Sequence, residues 1–288
     1  MILKTEDLTY VYGQGTPFVK TAVDHVSLEV EEGEFIGLMG HTGSGKSTLI
    51  QHLNGLLKPT SGRVLVGGED LWAVPKERLR EVRFQVGLVF QFPEYQLFEE
   101  TIFQDIAYGP RNMGLSEQEV ERRVKEAMDF VGLPWSMAEK SPFDVSGGQK
   151  RRVAIAGVLA MEPRVLILDE PVAGLDPRGR EDLLDKIKAY HQAVGNTILL
   201  VSHSMEDVAR TVQRIIVMNH GHIQMDGSPR EIFTRSEELT SIGLDVPCVT
   251  RVMHGLKQRG VQVDDRIFTV EDACNEVLRA LGKGGAIC

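Results

Sequence analysis

Cysteine is scarce: the 288-residue chain has three, Cys248, Cys274 and Cys288, with no Cys-x-x-Cys pair. That excludes a disulfide framework and fits thiols tolerated in a reducing compartment. Positive charge is short as well. Lys and Arg total 32 against 41 Asp and Glu, a formal net charge of −9, so the broad basic surface of a general nucleic-acid binder is missing. No apolar run approaches the ~18 residues of a membrane span; the most apolar stretches, 165–168 and 198–201, are strand-sized. The N-terminus has no basic-then-apolar signal pattern, and no long internal period argues for a solenoid. The expectation is a soluble chain that reaches a membrane only through a partner.

What is present is ordinary globular composition, 42% hydrophobic and 25% charged. That suffices for a substantial core in one large domain, or a domain with an appendage. Residues 3–11 and 22–30 alternate apolar and β-branched positions and predict strands; 35–39, 64–66, 86–90, 165–168, 197–201 and 214–218 predict further short strands. Helices are predicted from Lys46, over 150–161, 178–194 and 205–212. Strands alternating with helices imply an α/β fold with a mainly parallel sheet covered on both faces. From Tyr95 the texture turns helical: Ser116–Glu119 is a capping-box pattern, followed by Val120, Val124, Ala127, Met128 and Val131 at helical spacing. Residues 95–160 therefore read as an inserted helical subdomain. Residues 234–288, with Val249, Val252, Met253 and Leu256 on one face and Thr269 capping a further helix bearing Ala273, Val277, Leu278 and Leu281, read as a small helical appendage to a 1–233 domain. It is a possible contact between subunits.

Gly40-His41-Thr42-Gly43-Ser44-Gly45-Lys46-Ser47 fits the phosphate-binding pattern G-x-x-x-x-G-K-[ST], with Thr48 next, a strand before it and a helix after it. The glycines let the backbone turn its N–H groups inward. The helix offers its positive end to an anion, Lys46 reaches the β- and γ-phosphates, and the Ser47 hydroxyl ligates Mg²⁺. Residues 165–168 run into Asp169 and Glu170, two carboxylates at the edge of a buried strand where ligands bind in such sheets. Asp169 is placed to hold Mg²⁺ and Glu170 to accept a proton from an attacking water. Ser146-Gly147-Gly148-Gln149 precedes the helix predicted from Lys150, and alone it is also an ordinary N-cap.

The order of these motifs resembles the ATP-binding cassette (ABC) family, with the signature Leu-Ser-Gly-Gly-Gln; Val145 stands in the leading position here. The resemblance spans nearly all of the first 230 residues. Gln91 matches the Q-loop, Gly174-Leu175-Asp176 the D-loop, His203 the switch histidine, and Tyr12 the aromatic that stacks on adenine, with Tyr10 as a competitor. It implies a P-loop ATPase of ABC type with an N-terminal antiparallel β part, working as a head-to-tail pair. Ser146, Gly147, Gly148 and Gln149 would then cover the nucleotide of the partner ATPase. Lys46, with the loop amides of Gly40 to Thr48, would hold ATP. Ser47, Gln91 and Asp169 would attend Mg²⁺, Glu170 would polarise water, His203 would support the γ-phosphate, and Asp176 would link the two sites.

Phe90-Gln91-Phe92-Pro93-Glu94-Tyr95-Gln96-Leu97-Phe98 looks like the ATPases of energy-coupling factor transporters, importers of vitamins or of cobalt and nickel ions, and most like the second ATPase of the heterodimeric kind. That resemblance implies a second ATPase subunit, identical or not, and a transmembrane scaffold protein touched near Gln91 to Phe98. A substrate-binding membrane protein would be reached indirectly, from the cytoplasmic face of the membrane and without nucleic acid. Glu94, beside Phe92 and Tyr95, is expected to receive an arginine from the scaffold. The other readings are the ATPase subunit of another ABC transporter, or a soluble ABC ATPase of DNA repair or translation. The latter usually brings paired cassettes, coiled coils or zinc cysteines, none of which is visible.

Overall fold

The structure is a computed structural model, and it describes residues 1–282. The chain opens with strands β1 (Leu3–Tyr12), β2 (Lys20–Val30) and β3 (Phe35–Met39), helix α1 (Lys46–Leu53), and strands β4 (Ser61–Val66) and β5 (Glu69–Asp70). Helix α2 (Lys76–Gln85), strand β6 (Val86–Val89) and helices α3 (Ile102–Asn112), α4 (Glu117–Val131) and α5 (Gly147–Leu159) follow. Next come β7 (Val165–Asp169), α6 (Pro177–Val194), β8 (Thr197–Val201), α7 (Met205–Thr211), β9 (Arg214–Asn219) and β10 (His222–Gly227). Helices α8 (Pro229–Thr234), α9 (Ser236–Ser241), α10 (Cys248–Gln258) and α11 (Val270–Ala280) close the described chain. This is the mixed α/β fold expected. Its contacts divide it into two compact units, Met1–Glu34 with Ser47–Val201, and Phe35–Lys46 with Ser202 onward.

The first unit holds an antiparallel sheet in the order β2-β1-β4-β5. It also holds a parallel run in which β6 pairs with β7 and β7 with β8, in register from Val86↔Val165 to Asp169↔Val201. Every residue of β7 and β8 is buried, which is why both read as continuous apolar runs rather than alternating ones. Helices α3, α4 and α5 pack on one another, and the stripe Val120, Val124, Ala127, Met128 and Val131 is buried as expected. Helix α5 starts at Gly147, earlier than the predicted Lys150. Gly147 and Gly148 are poor helix formers, but a capping box on Ser146 and Gln149 overrides them. Helix α2 was not predicted at all. It is strongly polar, and among its described residues only Val82 is deeply buried, so it leaves no apolar stripe to read.

In this unit His52, on α1, is wholly buried. Its Nδ1–H donates to the Thr48 carbonyl at 2.7 Å, Nε2 is buried with no hydrogen-bond partner, and the Tyr10 ring packs edge-on at 4.7 Å. Burial pushes its pKa below the ordinary 6.5, against the opposing pull of the Thr48 carbonyl. The folded chain thus holds His52 neutral, while the unfolded chain takes up a proton near pH 6.5. Stability from this site is intact above pH 6.5 and is lost as pH falls below it. The thermal midpoint of the wild type is expected to drop more between pH 7.5 and 5.5 than that of His52→Gln; parallel slopes in a melting series would remove His52 from this role.

In the second unit β3 pairs in parallel with β9, from Ile36↔Arg214 to Met39↔Val217, and β9 turns back antiparallel into β10. A Cβ on Gly37 would lie 2.7 Å from a Val208 methyl, so glycine lets α7 close on β3. Strand β10 was not predicted, although Asn219-His220-Gly221-His222 carried a hairpin signal: His220 (φ +47°) and Gly221 (φ +84°) are both left-handed, as a two-residue hairpin turn demands. Further on, Met253, Val263 and Ala273 form a small core with Val249, Leu256, Ile267 and Val277 against it. Val252 and Leu281, expected on the apolar faces of α10 and α11, are instead exposed. Cys248 is exposed and Cys274 half-buried, both unbridged; Cys288 lies outside the described residues. No helix among the described residues is long and apolar enough to cross a membrane.

Candidate nucleotide site

The phosphate-binding loop springs from the fully buried strand β3. Gly40 has φ +153°, and a Cβ there would lie 2.5 Å from both the Met218 carbonyl oxygen and Ser44 Oγ. Gly43 and Gly45 are also at positive φ, +83° and +107°, so only glycine turns this loop without strain. Lys46 is the first residue of α1. Its ammonium curls over the loop and donates to the carbonyls of Gly40, at 2.6 Å, and His41, at 3.1 Å. The β9–β10 turn braces the loop from below: Gly221 N–H donates to the Ser44 carbonyl at 2.9 Å, His41 Nε2 lies 3.1 Å from Asn219 Oδ1, and the His41 and His220 rings meet edge to face at 5.2 Å. Thr42, Gly43 and Ser47 are exposed. A lysine, a hydroxyl and a glycine-turned backbone at a helix start form a donor set that fits the phosphates of a nucleotide.

Tyr12 and Thr48 meet in the first unit, hydroxyl to hydroxyl at 3.3 Å. Tyr12 presents 41% of its surface and packs edge-on against Tyr10 at 4.7 Å. Tyr10 is itself occupied by His52, so Tyr12 is the freer ring for stacking. Asp169 closes β7 and Glu170 follows it; both are buried, 8% and 9% exposed. Glu170 takes φ +51°, held there by donation from its N–H to the Val201 carbonyl at 3.0 Å. Gln91 is exposed just past β6, and His203 is exposed just past β8. Among the described residues no group of three or more His, Cys, Asp or Glu gathers as a metal cage. The donor chemistry at Ser47, Gln91 and Asp169 fits a magnesium that arrives with nucleotide phosphates and keeps much of its water.

The signature serine is committed locally. Ser146 Oγ accepts from Gln149 N–H at 3.3 Å, and Gln149 Oε1 accepts from Ser146 N–H at 3.0 Å. Asp176 caps α6 by accepting from the N–H groups of Arg178 and Gly179 at 3.1 and 3.0 Å. The structure brings these two starts together: Ser146, Gly148, Gln149, Leu175 and Asp176 line one concavity of about 310 Å³. Within that first unit lie Tyr12, Ser47, Thr48, Gln91, Ser146 to Gln149, Asp169, Glu170 and Asp176, while Gly40 to Lys46 and His203 belong to the second.

One expectation needs correction. Glu94 does not present a carboxylate waiting for an outside arginine. It is already bound by Arg151 of this chain, through Nε at 3.1 Å and Nη2 at 2.9 Å, and its side chain is only 18% exposed. Arg151 lies fifty-seven positions on, too far for any local pattern to announce the pair. The residues beside Glu94 do stay exposed: Phe92 at 42%, Tyr95 at 85% and Phe98 at 59%. Asp105 holds the following backbone by accepting from the N–H groups of Phe98 and Glu99, each at 3.3 Å. Burial raises the Asp105 pKa more than those two bonds lower it. The loop braces Asn219 and Gly221 are not among the expected site residues; the turn dipeptide His220-Gly221 is the one local signal that could have found them.

Comparison with known proteins agrees with this arrangement. Residues 23–173 match the ABC transporter family. The chain is 55% identical over 290 residues to the energy-coupling factor transporter ATP-binding protein EcfA2 of Clostridium tetani, covering 100% of each. It is 56% identical over 282 residues to the protein of that name from Clostridium perfringens, covering 98% of this chain and 99% of that one. Among solved structures it superposes on cbiO1 of Clostridium perfringens, described as part of the ABC transporter complex cbiONQ. The TM-score is 0.74 at 37% identity, over 89% of this chain and 98% of that one. A dimeric, post-hydrolysis structure of the cassette MJ0796 bound to ADP and Pi gives a TM-score of 0.71 at 29% identity, over 79% and 99%. A phosphate loop, a capped glycine signature and a carboxylate pair ending a buried strand, in this order and with these relatives, make the chain a member of the ABC transporter family and, within it, of the ATP-binding proteins of energy-coupling factor transporters, ATPases whose hydrolysis is coupled to transport.

Proposed function

We propose that this chain pairs with a second ATPase subunit, sits on a transmembrane scaffold at the cytoplasmic face, and drives uptake of a vitamin or transition-metal ion captured by a separate membrane protein. Residues 1–233 serve as the ATPase, with 95–160 as its helical part, and 234–288 as an appended contact region. Tyr12 stacks on adenine. The amides of Gly40, His41, Thr42, Gly43, Ser44 and Gly45, with Lys46, hold the phosphates, and Thr48 supports Tyr12. Ser47, Gln91 and Asp169 hold Mg²⁺, which when bound offsets charge on the β- and γ-oxygens. Glu170 orients the attacking water and accepts its proton. His203 donates toward the γ-phosphate, where charge develops. Ser146, Gly147, Gly148 and Gln149 face the partner's nucleotide, with Asp176 beside them. The 310 Å³ concavity that joins signature to D-loop supports this assignment. Closing the pair on ATP, and release when the γ-phosphate contact is cut, shifts the pair between two states of different affinity.

The observation that carries the membrane docking is a set of exposed aromatic rings beside Gln91. Phe92 and Tyr95 lie 6.2 Å apart, and Phe98 and Tyr108 5.0 Å apart, with Tyr108 50% exposed. Aromatic anchors dominate the energetics of protein contacts. Replacing both Tyr95 and Phe98 by Ser is expected to reduce co-recovery of the membrane subunits from detergent extracts by about tenfold or more, with ATP affinity unchanged. Undiminished recovery of the scaffold would remove this patch from the docking surface.

A further inference from the structure

Arg151, in the second turn of α5, has only 3% of its side chain exposed. Its guanidinium reaches two separate segments. Nε and Nη2 donate to the Glu94 carboxylate at 3.1 and 2.9 Å. Nη1 donates to the Pro171 carbonyl at 3.4 Å and also to the Ala173 carbonyl. The Phe92 ring centroid lies 5.9 Å from the guanidinium carbon. A buried cation is costly unless its donors are met, and these acceptors account for its burial.

Where the acceptors come from matters more. Glu94 lies in the short 3-10 turn Pro93–Gln96, which follows Gln91 and Phe92. Pro171 and Ala173 directly follow Glu170, whose φ of +51° is a strained backbone for a non-glycine residue and persists only where its surroundings hold it. Donation to the Val201 carbonyl fixes the start of that turn; Ala173 N–H closes it on the Glu170 carbonyl at 3.1 Å. Arg151 is the side chain that grips its far end.

We infer that Arg151 is a positioning residue for Glu170, and that its fork to Glu94 makes the Glu170 turn respond when the segment after Gln91 is displaced. The inference rests on Glu170 as the group that accepts the water's proton. A guanidinium is one rigid plane. The edge that holds Glu94 cannot shift without moving the Nη1 that holds Pro171 and Ala173. Docking at the aromatic patch and water activation at Glu170 are then joined by one side chain, on the same helix that carries the signature.

The test places Arg151→Lys and Glu94→Gln in the assembled transporter complex. Lysine keeps the charge but cannot form the fork. Arg151→Lys is expected to lower kcat about tenfold or more while the ATP KM stays within about twofold, since the lost bonds are charge-assisted and act on the catalytic turn. Glu94→Gln is expected to lower kcat about threefold to fivefold at constant KM, and the double variant to be no worse than Arg151→Lys, because both act through one group. An Arg151→Lys complex with wild-type kcat overturns the proposal. So does a joint loss of kcat, ATP affinity and thermal midpoint, which marks a merely structural residue. Should Arg151→Lys fail to assemble, Glu94→Gln decides alone, and unchanged turnover there overturns it. Failure of the underlying reading shows separately, as wild-type turnover in Glu170→Gln, and takes this proposal with it.

Discussion

Glu170→Gln is expected to bind ATP as the wild type does and to hydrolyse it about 10²- to 10⁴-fold more slowly, the usual worth of a positioned general base. The amide is the same size and keeps one acceptor oxygen, so the turn at φ +51° has no new clash to absorb. What it loses is the ability to take a proton. Binding and hydrolysis therefore separate: the affinity for ATP, set by the phosphate loop, stays, and the closed pair outlives its normal lifetime. Turnover in the assembled complex, together with nucleotide retained after rapid desalting, reads both effects. Wild-type turnover would assign the proton to another group.

Lys46→Ala should do the opposite. Charge-assisted hydrogen bonds contribute about 1.5–3 kcal/mol each, which places the expected rise in ATP Kd between about tenfold and a hundredfold. A second loss adds to the first. Lys46 also donates to the Gly40 and His41 carbonyls, so its removal loosens the loop before any nucleotide arrives. Titration with a fluorescent ATP analogue measures the change. A Kd within twofold of wild type would mean that loop amides alone carry the phosphates.

The elements that proved most legible are those whose burial leaves a single interpretation. Strands β3 and β8 lie where their apolar runs, flanked by turn residues, placed them. Lys46 opens α1 because the glycines before it cannot. The ends of α5 and the existence of α2 and β10 were less legible. Each depends on something a periodicity scan ignores: a capping box over two glycines, a polar helix with little buried surface, a strand in which only Met225 is deeply buried. Within the candidate site the motif residues were legible because phosphate and proton chemistry demand particular side chains at fixed spacing. Their supports were not. Glu94 looked like a surface acid because Arg151 lies far along the chain, and the Asn219 brace on His41 spans a separation of 178 positions. Groups that touch a ligand obey local patterns; groups that hold those groups in place obey only the tertiary fold.

The brace beneath the phosphate loop also bears on how the chain is born. The loop residues 40–46 pack in one unit with residues from Ser202 onward, and their floor is the hairpin at Asn219 to Gly221. Synthesis runs from the N-terminus at about 5–20 residues per second, and a nascent segment cannot close contacts with chain not yet made. While the ribosome has yet to release that hairpin, the glycine loop exists as sequence but has nothing to rest on. Competence for nucleotide therefore arrives late in translation, well after the emergence of the motif that defines it.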